Sequence, residues 1–181
     1  MKSLKKISFL LSFFMIVSCS DKLDFNQINN YIHKPVLTSA LTYFKVVPFQ
    51  FFDSNGVQQF EIRDVTRFEG FENTYIRENV VKINFNAEIK NEFNRDVTIQ
   101  AEFLSENDGL LYSFTPIQVQ ENDLNFTYLE EIDVTTNQSV LNTAKVRIIA
   151  SIENTGTPMN PNDTSEFEFK SSITFFIESE L

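Results

Sequence analysis

Residues equipped for chemistry are few in this chain of 181. His33 is the only histidine and Cys19 the only cysteine. Neither a Ser-His-Asp nor a Cys-His constellation can therefore be completed, since each needs a base set beside its nucleophile. His33 lies close to Pro35 in a stretch without a hydrophobic period, where a solvated linker residue is expected rather than a general base. Zinc-type sites fail for the same shortage of thiols and imidazoles, and no glycine-rich phosphate loop occurs. Two carboxylates alone can hydrolyse a glycoside, but Glu88, Glu102, Glu166 and Glu168 alternate with apolar residues as solvated strand faces do. The expectation is a protein that is not an enzyme and holds no cofactor. The oxygen-rich stretch from Asn154 to Glu166, with Asn160, Asn162 and Asp163, has the composition of loops that ligate calcium. Its spacing matches no EF-hand, and the same residue types build ordinary turns, so a plain loop is the preferred reading.

One residue has its chemistry set by its neighbours. Lys2, Lys5 and Lys6 precede an apolar run from Ile7 to Val17, broken only by Ser8 and Ser12. This is the layout of a secretory signal peptide, too short for a bilayer-spanning helix, which needs about 20 apolar residues. Ile16-Val17-Ser18-Cys19 resembles the lipobox of bacterial lipoproteins. The resemblance covers the N-terminal segment as far as Ser20 and implies removal of residues 1–18. It also implies a covalent lipid on the Cys19 sulfur, with Ser18 small enough to give the peptidase access. One acyl chain binds a membrane only marginally, whereas the several chains of a mature lipoprotein cysteine anchor it stably. Ser20 replaces the aspartate linked with inner-membrane retention, which favours the outer membrane. Asp21 and Asp24 are loosely similar to the tethers of lipoproteins that Bacteroidota export, and the periplasmic or cell-surface face stays open.

The formal charge is −10, and removal of three lysines with the signal leaves the mature chain near −13. Such a body repels nucleic acid and anionic headgroups, so the membrane contact should come from the lipid alone. With Cys19 acylated no disulfide can form, and folding rests on the apolar core. Phenylalanine is abundant, 20 residues, tryptophan is absent, and 42% of the chain is hydrophobic. That composition specifies a packed globule rather than a disordered tail.

The elements follow from alternation. Residues 19–40 carry no period and are expected to be a lipidated tether, with 41–181 the folded domain. Leu41 to Phe52 is the first strand pattern, with Leu41, Tyr43, Val47, Phe49 and Phe51 on one face and Pro48 marking an edge or bulge. Asp53-Ser54-Asn55-Gly56 predicts a type I′ hairpin turn, Phe60 and Ile62 a return strand, and Arg63 to Asn79 irregular chain. Val81 to Ile89 and Val97 to Phe103 alternate strictly about the turn Asn91–Arg95, which predicts an antiparallel hairpin. Ser105 to Gly109 predicts a second turn. Further alternating runs cover Leu110–Phe114, Leu124–Val134, Val146–Ile152 and Phe167–Ile177, with Glu130-Glu131 disturbing one of them. About seven to nine strands at this spacing predict an all-β, antiparallel, immunoglobulin-like sandwich.

The remaining candidate is aromatic. Phe44 and Phe52 fall opposite the apparent core face, while Phe68, Phe71 and Phe93 sit in irregular segments. Exposed together they would form a partner-binding surface. The expected function is an outer-membrane accessory lipoprotein that docks on an envelope protein, with a surface glycan or ligand binder as the alternative.

Overall fold

The computed structural model describes residues 31–180. Cys19, the Ile16-Val17-Ser18 segment and the tether up to residue 30 lie outside the described residues. The compact unit is His33–Ser179. After a two-residue strand β1 (Ile32–His33), its elements are β2 (Val36–Val46), a 3-10 turn (Pro48–Phe51), β3 (Glu61–Arg67), α1 (Thr74–Asn79), β4 (Val80–Asn91) and β5 (Val97–Leu104). There follow β6 (Leu110–Ser113), β7 (Ile117–Val119), β8 (Phe126–Asp133), a 3-10 turn (Gln138–Asn142), β9 (Lys145–Ile152), β10 (Phe167–Ile177) and the short β11 (Ser179–Glu180).

Two antiparallel sheets form the expected all-β sandwich. The first has the order β2-β10-β4-β8, and the second β3-β9-β5-β6 with β7 also on β5. Between them lies one core cluster drawn from both sheets, including Ile83, Phe85, Ile99, Phe103, Ile148, Phe167 and Phe169. Phenylalanine does the work that a few tryptophans would do elsewhere. Phe114 sits 4.5 Å from Phe85 of β4 and 4.9 Å from Phe103 of β5, joining the two layers through offset and edge-on ring contacts.

Pairing differs from the sequence expectation at two places. The alternating arms Val80–Asn91 and Val97–Leu104 do not form a hairpin: β4 pairs with β10 and β8, and β5 pairs with β9, β6 and β7. They face each other across the core, and the turn between them is a corner from one sheet to the other. Period two states that one side of a strand is buried, and it is silent on which strand lies beside it. Likewise Asp53–Gly56 joins β2 of one sheet to β3 of the other, with only a Phe52–Gln58 bridge at the bend. Positive φ there falls on Gly56 alone, so the turn is not type I′; the Asp53 carboxylate accepts the amides of Asn55 and Val57 instead.

Two segment boundaries also move. β2 starts at Val36, within the expected tether, and β3 continues through Arg67 before the short helix α1. The face of β2 reverses as well. A bulge opposite Ser171 and Ser172 leaves Leu41 without a partner on β10, so Phe44 and Val46 turn inward and Tyr43 outward. The hairpin turn Ser105–Gly109 forms as expected, joining β5 to β6, with Asp108 rather than Gly109 at positive φ.

Candidate interaction surface

The sandwich has two lateral seams, and they are built differently. On one side β8 is latched to β6 and the chain entering β7. Along β8, Phe126, Tyr128, Glu130 and Ile132 occupy successive inward positions, so Glu130 is a carboxylate where an apolar side chain is expected. Its Oε1 accepts the Tyr112 hydroxyl at 2.7 Å, and its Oε2 accepts the Thr115 amide at 2.9 Å and the Tyr128 hydroxyl. Burial by itself pushes the Glu130 carboxyl up, but the hydrogen bonds from Tyr128, Tyr112 and Thr115 outweigh it and hold the group below the usual carboxylate range. Burial, followed by the bond to Glu130, pushes both phenols up to about 12. Both carboxylate oxygens are thus engaged by protein donors, which makes the cluster a clasp between sheets.

On the opposite side β2 and β3 are the edge strands of their sheets, and each pairs on one side only among the described residues. Two cavities open along this seam. One of about 420 Å³ is lined by the first half of β2 from Leu37 to Leu41, by Phe68, Ile76, Ile173 and Phe175, and by the rim residues Arg67 and Glu69. The other, about 270 Å³, lies between Phe44–Val46, Ile62–Asp64 and the β9 residues Ile148 and Ala150. Gly70 forms part of the first wall. A Cβ there would meet the Phe68 ring at 2.5 Å and the Phe175 ring at 2.9 Å, so the close approach needs glycine.

The two edges are guarded unequally. β3 carries Glu61, Arg63, Asp64 and Arg67 in seven residues, the charged composition that keeps an exposed edge from pairing. β2 has eleven residues and one charge, Lys45, which is already engaged with Glu166 at 2.9 Å and Glu168 at 3.2 Å. Residues Val36–Ala40 are all exposed. Such a strand offers unpaired amides and carbonyls over an apolar groove, the arrangement used when an extended segment adds to a sheet.

The aromatic residues expected to carry the surface do not. Phe68, Phe71 and Phe93 are buried at 6%, 5% and 1% exposure, and Phe44 and Phe52 pack partly buried against the core. The irregular segments fold their rings inward: Phe68 stacks on Phe103 at 5.9 Å, Phe71 meets Phe175 at 5.6 Å, and Phe93 lies between Phe51 and Phe167. Phe44 is inward because of the Leu41 bulge, and it stacks on Phe169 at 5.2 Å. The exposed large apolar residues on or beside the seam are Val36, Leu37, Tyr43, Phe49 and Val65. Alternation counted through a bulge assigns Phe44 the wrong face, and Leu37 is not among the candidates because residues 19–40 carry no period and read as tether.

Of the remaining candidates, Asn160, Asn162 and Asp163 are exposed in the loop before β10. The Asn160 carboxamide oxygen accepts the Asn162 amide, and the Asp163 carboxylate accepts the Ser165 amide, each at 3.0 Å. No group of three or more His, Cys, Asp or Glu side chains suited to a metal stands together among the described residues. His33 is exposed. Glu102 bonds Arg147 at 2.6 Å across β5 and β9. No helix among the described residues is long and apolar enough to cross a membrane.

Sequence reasoning missed a buried polar corner. Asn91, wholly buried, donates to the carbonyls of Arg95 and Gln120 and accepts the Phe93 amide. Arg95, 4% exposed, donates to the carbonyls of Glu153 and Thr157. Together they tie three loops at one end of the sandwich. Both looked like turn residues, and no sequence signal separated them from their neighbours.

No protein-family model matches the chain, and no curated protein matches it. Among solved structures it is similar to a Parabacteroides distasonis protein described as secreted, at 14% identity and TM-score 0.50 over 64% of this chain. This chain spans 38% of that protein's length, and the likeness shows the fold alone. The VP2 subviral particle of infectious bursal disease virus matches at 8% identity and TM-score 0.43, covering 82% of this chain and 33% of that one. A Bacillus endospore appendage protein matches at 11% identity and TM-score 0.35, covering 80% of this chain and 91% of that one.

Proposed function

We propose that this chain is a non-catalytic accessory lipoprotein of the outer membrane, held by lipid on Cys19 and docked on an envelope protein assembly through the β2 side of its sandwich. The observation that carries the reading is the long, nearly uncharged β2 edge above an apolar groove, on a protein whose other exposed edges are charged or short. The Ile16-Val17-Ser18-Cys19 segment supports the anchor. An acidic body of charge −10 supports a protein partner over nucleic acid or a bare anionic membrane.

The test is isolation of the tagged protein from native membranes under mild detergent, comparing the wild type with Leu37→Lys/Tyr43→Lys. A stoichiometric envelope protein is expected with the wild type and should be lost from the variant. Equal recovery of the same partner by both would remove the β2 edge from the reading. Intact mass of the wild type should show a mature chain beginning at lipidated Cys19; an unmodified, uncleaved chain would remove the anchor.

A further inference from the structure

We infer that the strand which completes the β2 edge is β2 of a second copy of this chain, paired antiparallel about a twofold axis near Thr38. The inference rests on the reading of β2 as the docking edge and gives that edge to a second copy in place of an envelope protein.

Charge selects the occupant. Copies of a chain with net charge −10 repel one another, so association needs a surface without carboxylates. From Lys34 to Phe52 the sequence holds two lysines and no carboxylate. The opposite edge of the same sheet, β8, carries Glu130, Glu131 and Asp133, and a second β8 beside it would set like charges in register. The β3 edge is charged throughout, and β6 and β7 are four and three residues long. Only β2 is at once long, nearly uncharged and open on one side among the described residues. A strand meeting itself across a twofold axis is judged by its own sequence, and β2 supplies what its own edge requires: an extended segment with alternating small polar and apolar side chains.

Register follows from the bulge. It interrupts the regular edge at Leu41 and leaves Val36–Ala40 as an exposed run in unbroken register with β10. Centred on Thr38, Leu37 of one copy stands opposite Ser39 of the other. Both positions face the groove side of the sheet, because their β10 partners Phe175 and Ile173 are buried inward. Residues directly opposite in an antiparallel pair share a face. Each copy therefore sets Leu37 over the part of the other's groove bounded by Phe68 and Phe175. Leu37, 41% exposed in the single chain, is covered, and the two four-stranded sheets become one of eight strands.

The experiment uses the full lipidated chain in detergent, in which Cys19 carries lipid and no other cysteine competes. Light scattering with the detergent contribution subtracted should give twice the chain mass. Thr38→Cys, treated with a short bifunctional thiol reagent, should yield a covalent dimer, and Val65→Cys on β3 should stay monomeric. Leu37→Lys/Tyr43→Lys should halve the mass with an unchanged β-type circular dichroism spectrum. A single-chain mass for the wild type at all attainable concentrations overturns the pairing, as does a dimer that persists in the Leu37→Lys/Tyr43→Lys variant. If the wild type is monomeric while those same substitutions release an envelope protein, the pairing fails and the docking edge stands. If neither assay responds to them, both readings fail.

Discussion

The Tyr112 hydroxyl donates to Glu130 across the gap between β6 and β8, at 2.7 Å, and so ties an edge of one sheet to an edge of the other. Tyr128 and the Thr115 amide complete the set of donors on the same carboxylate. The seam between β2 and β3 has no counterpart among the described residues and opens into two cavities instead. One side of the sandwich is fastened, and the other is left available.

Replacing Glu130 with alanine leaves two phenols and an amide without their acceptor. Groups deprived of a partner in a partly buried site cost about 1–3 kcal/mol. Equilibrium urea unfolding of Glu130→Ala should show that loss with the m-value unchanged, while Glu131→Ala, on the exposed outer position, should stay within about 0.5 kcal/mol of wild type.

The same cluster sets two pH limits. Glu130 is held below the usual carboxylate range in the folded state, so its contribution is complete above the unfolded value and fades as pH falls through the folded one. Tyr112 and Tyr128 are raised from 10.0 to about 12, so the folded state keeps two protons that the unfolded chain releases. Stability from them is complete below pH 10 and is lost as pH rises towards about 12. Spectroscopic titration of the phenols should show two late ionisations, and Glu130→Gln should move both earlier. Phenols that titrate together near 10 in the folded wild type would contradict the clasp.

The aromatic residues in irregular chain are core residues, and truncation should say so. Phe93→Ala removes a ring that is 1% exposed and should cost about 3–5 kcal/mol. Phe49→Ala, 66% exposed, should cost less than about 0.5 kcal/mol. Thermal or denaturant unfolding distinguishes them directly. Similar small losses for both would restore an exposed Phe93.

Gly70→Ala tests the tight wall of the larger cavity. The new methyl would sit inside contact distance of the Phe68 and Phe175 rings, and overpacking of this kind costs about 1–3 kcal/mol. Unfolding midpoints measure the loss, and a neutral substitution would mean the rings move aside freely.

Asn91→Ala should be the most damaging polar change at the corner. It strands the Phe93 amide and the carbonyls of Arg95 and Gln120, each worth about 1 kcal/mol when its partner is lost. Limited proteolysis should then cut first within the loops at residues 91–96, 120–125 or 153–166, ahead of any strand.

What the sequence decided by itself is the layering. Alternation along Ile83–Ile89, Val97–Phe103, Val146–Ile152 and Phe167–Ile177 fixes which side chains point inward despite Ile149, Ser171 and Phe176, because successive residues of a strand face opposite ways whatever lies next to them. It also placed turns at Asp53–Gly56 and Ser105–Gly109, whose residues favour local backbone reversals, although only the second joins paired strands of one sheet. Tertiary structure alone decided the partners. Hydrogen bonds between strands are made by backbone common to every residue, so nothing in Val80–Asn91 says that its neighbours are β8 and β10 and not the next strand along. The same holds for the features on which function is proposed. A bulge at Leu41 turns Phe44 inward, contacts between layers bury Phe68 and Phe93, and β2 becomes an edge only once β10 has taken its other side.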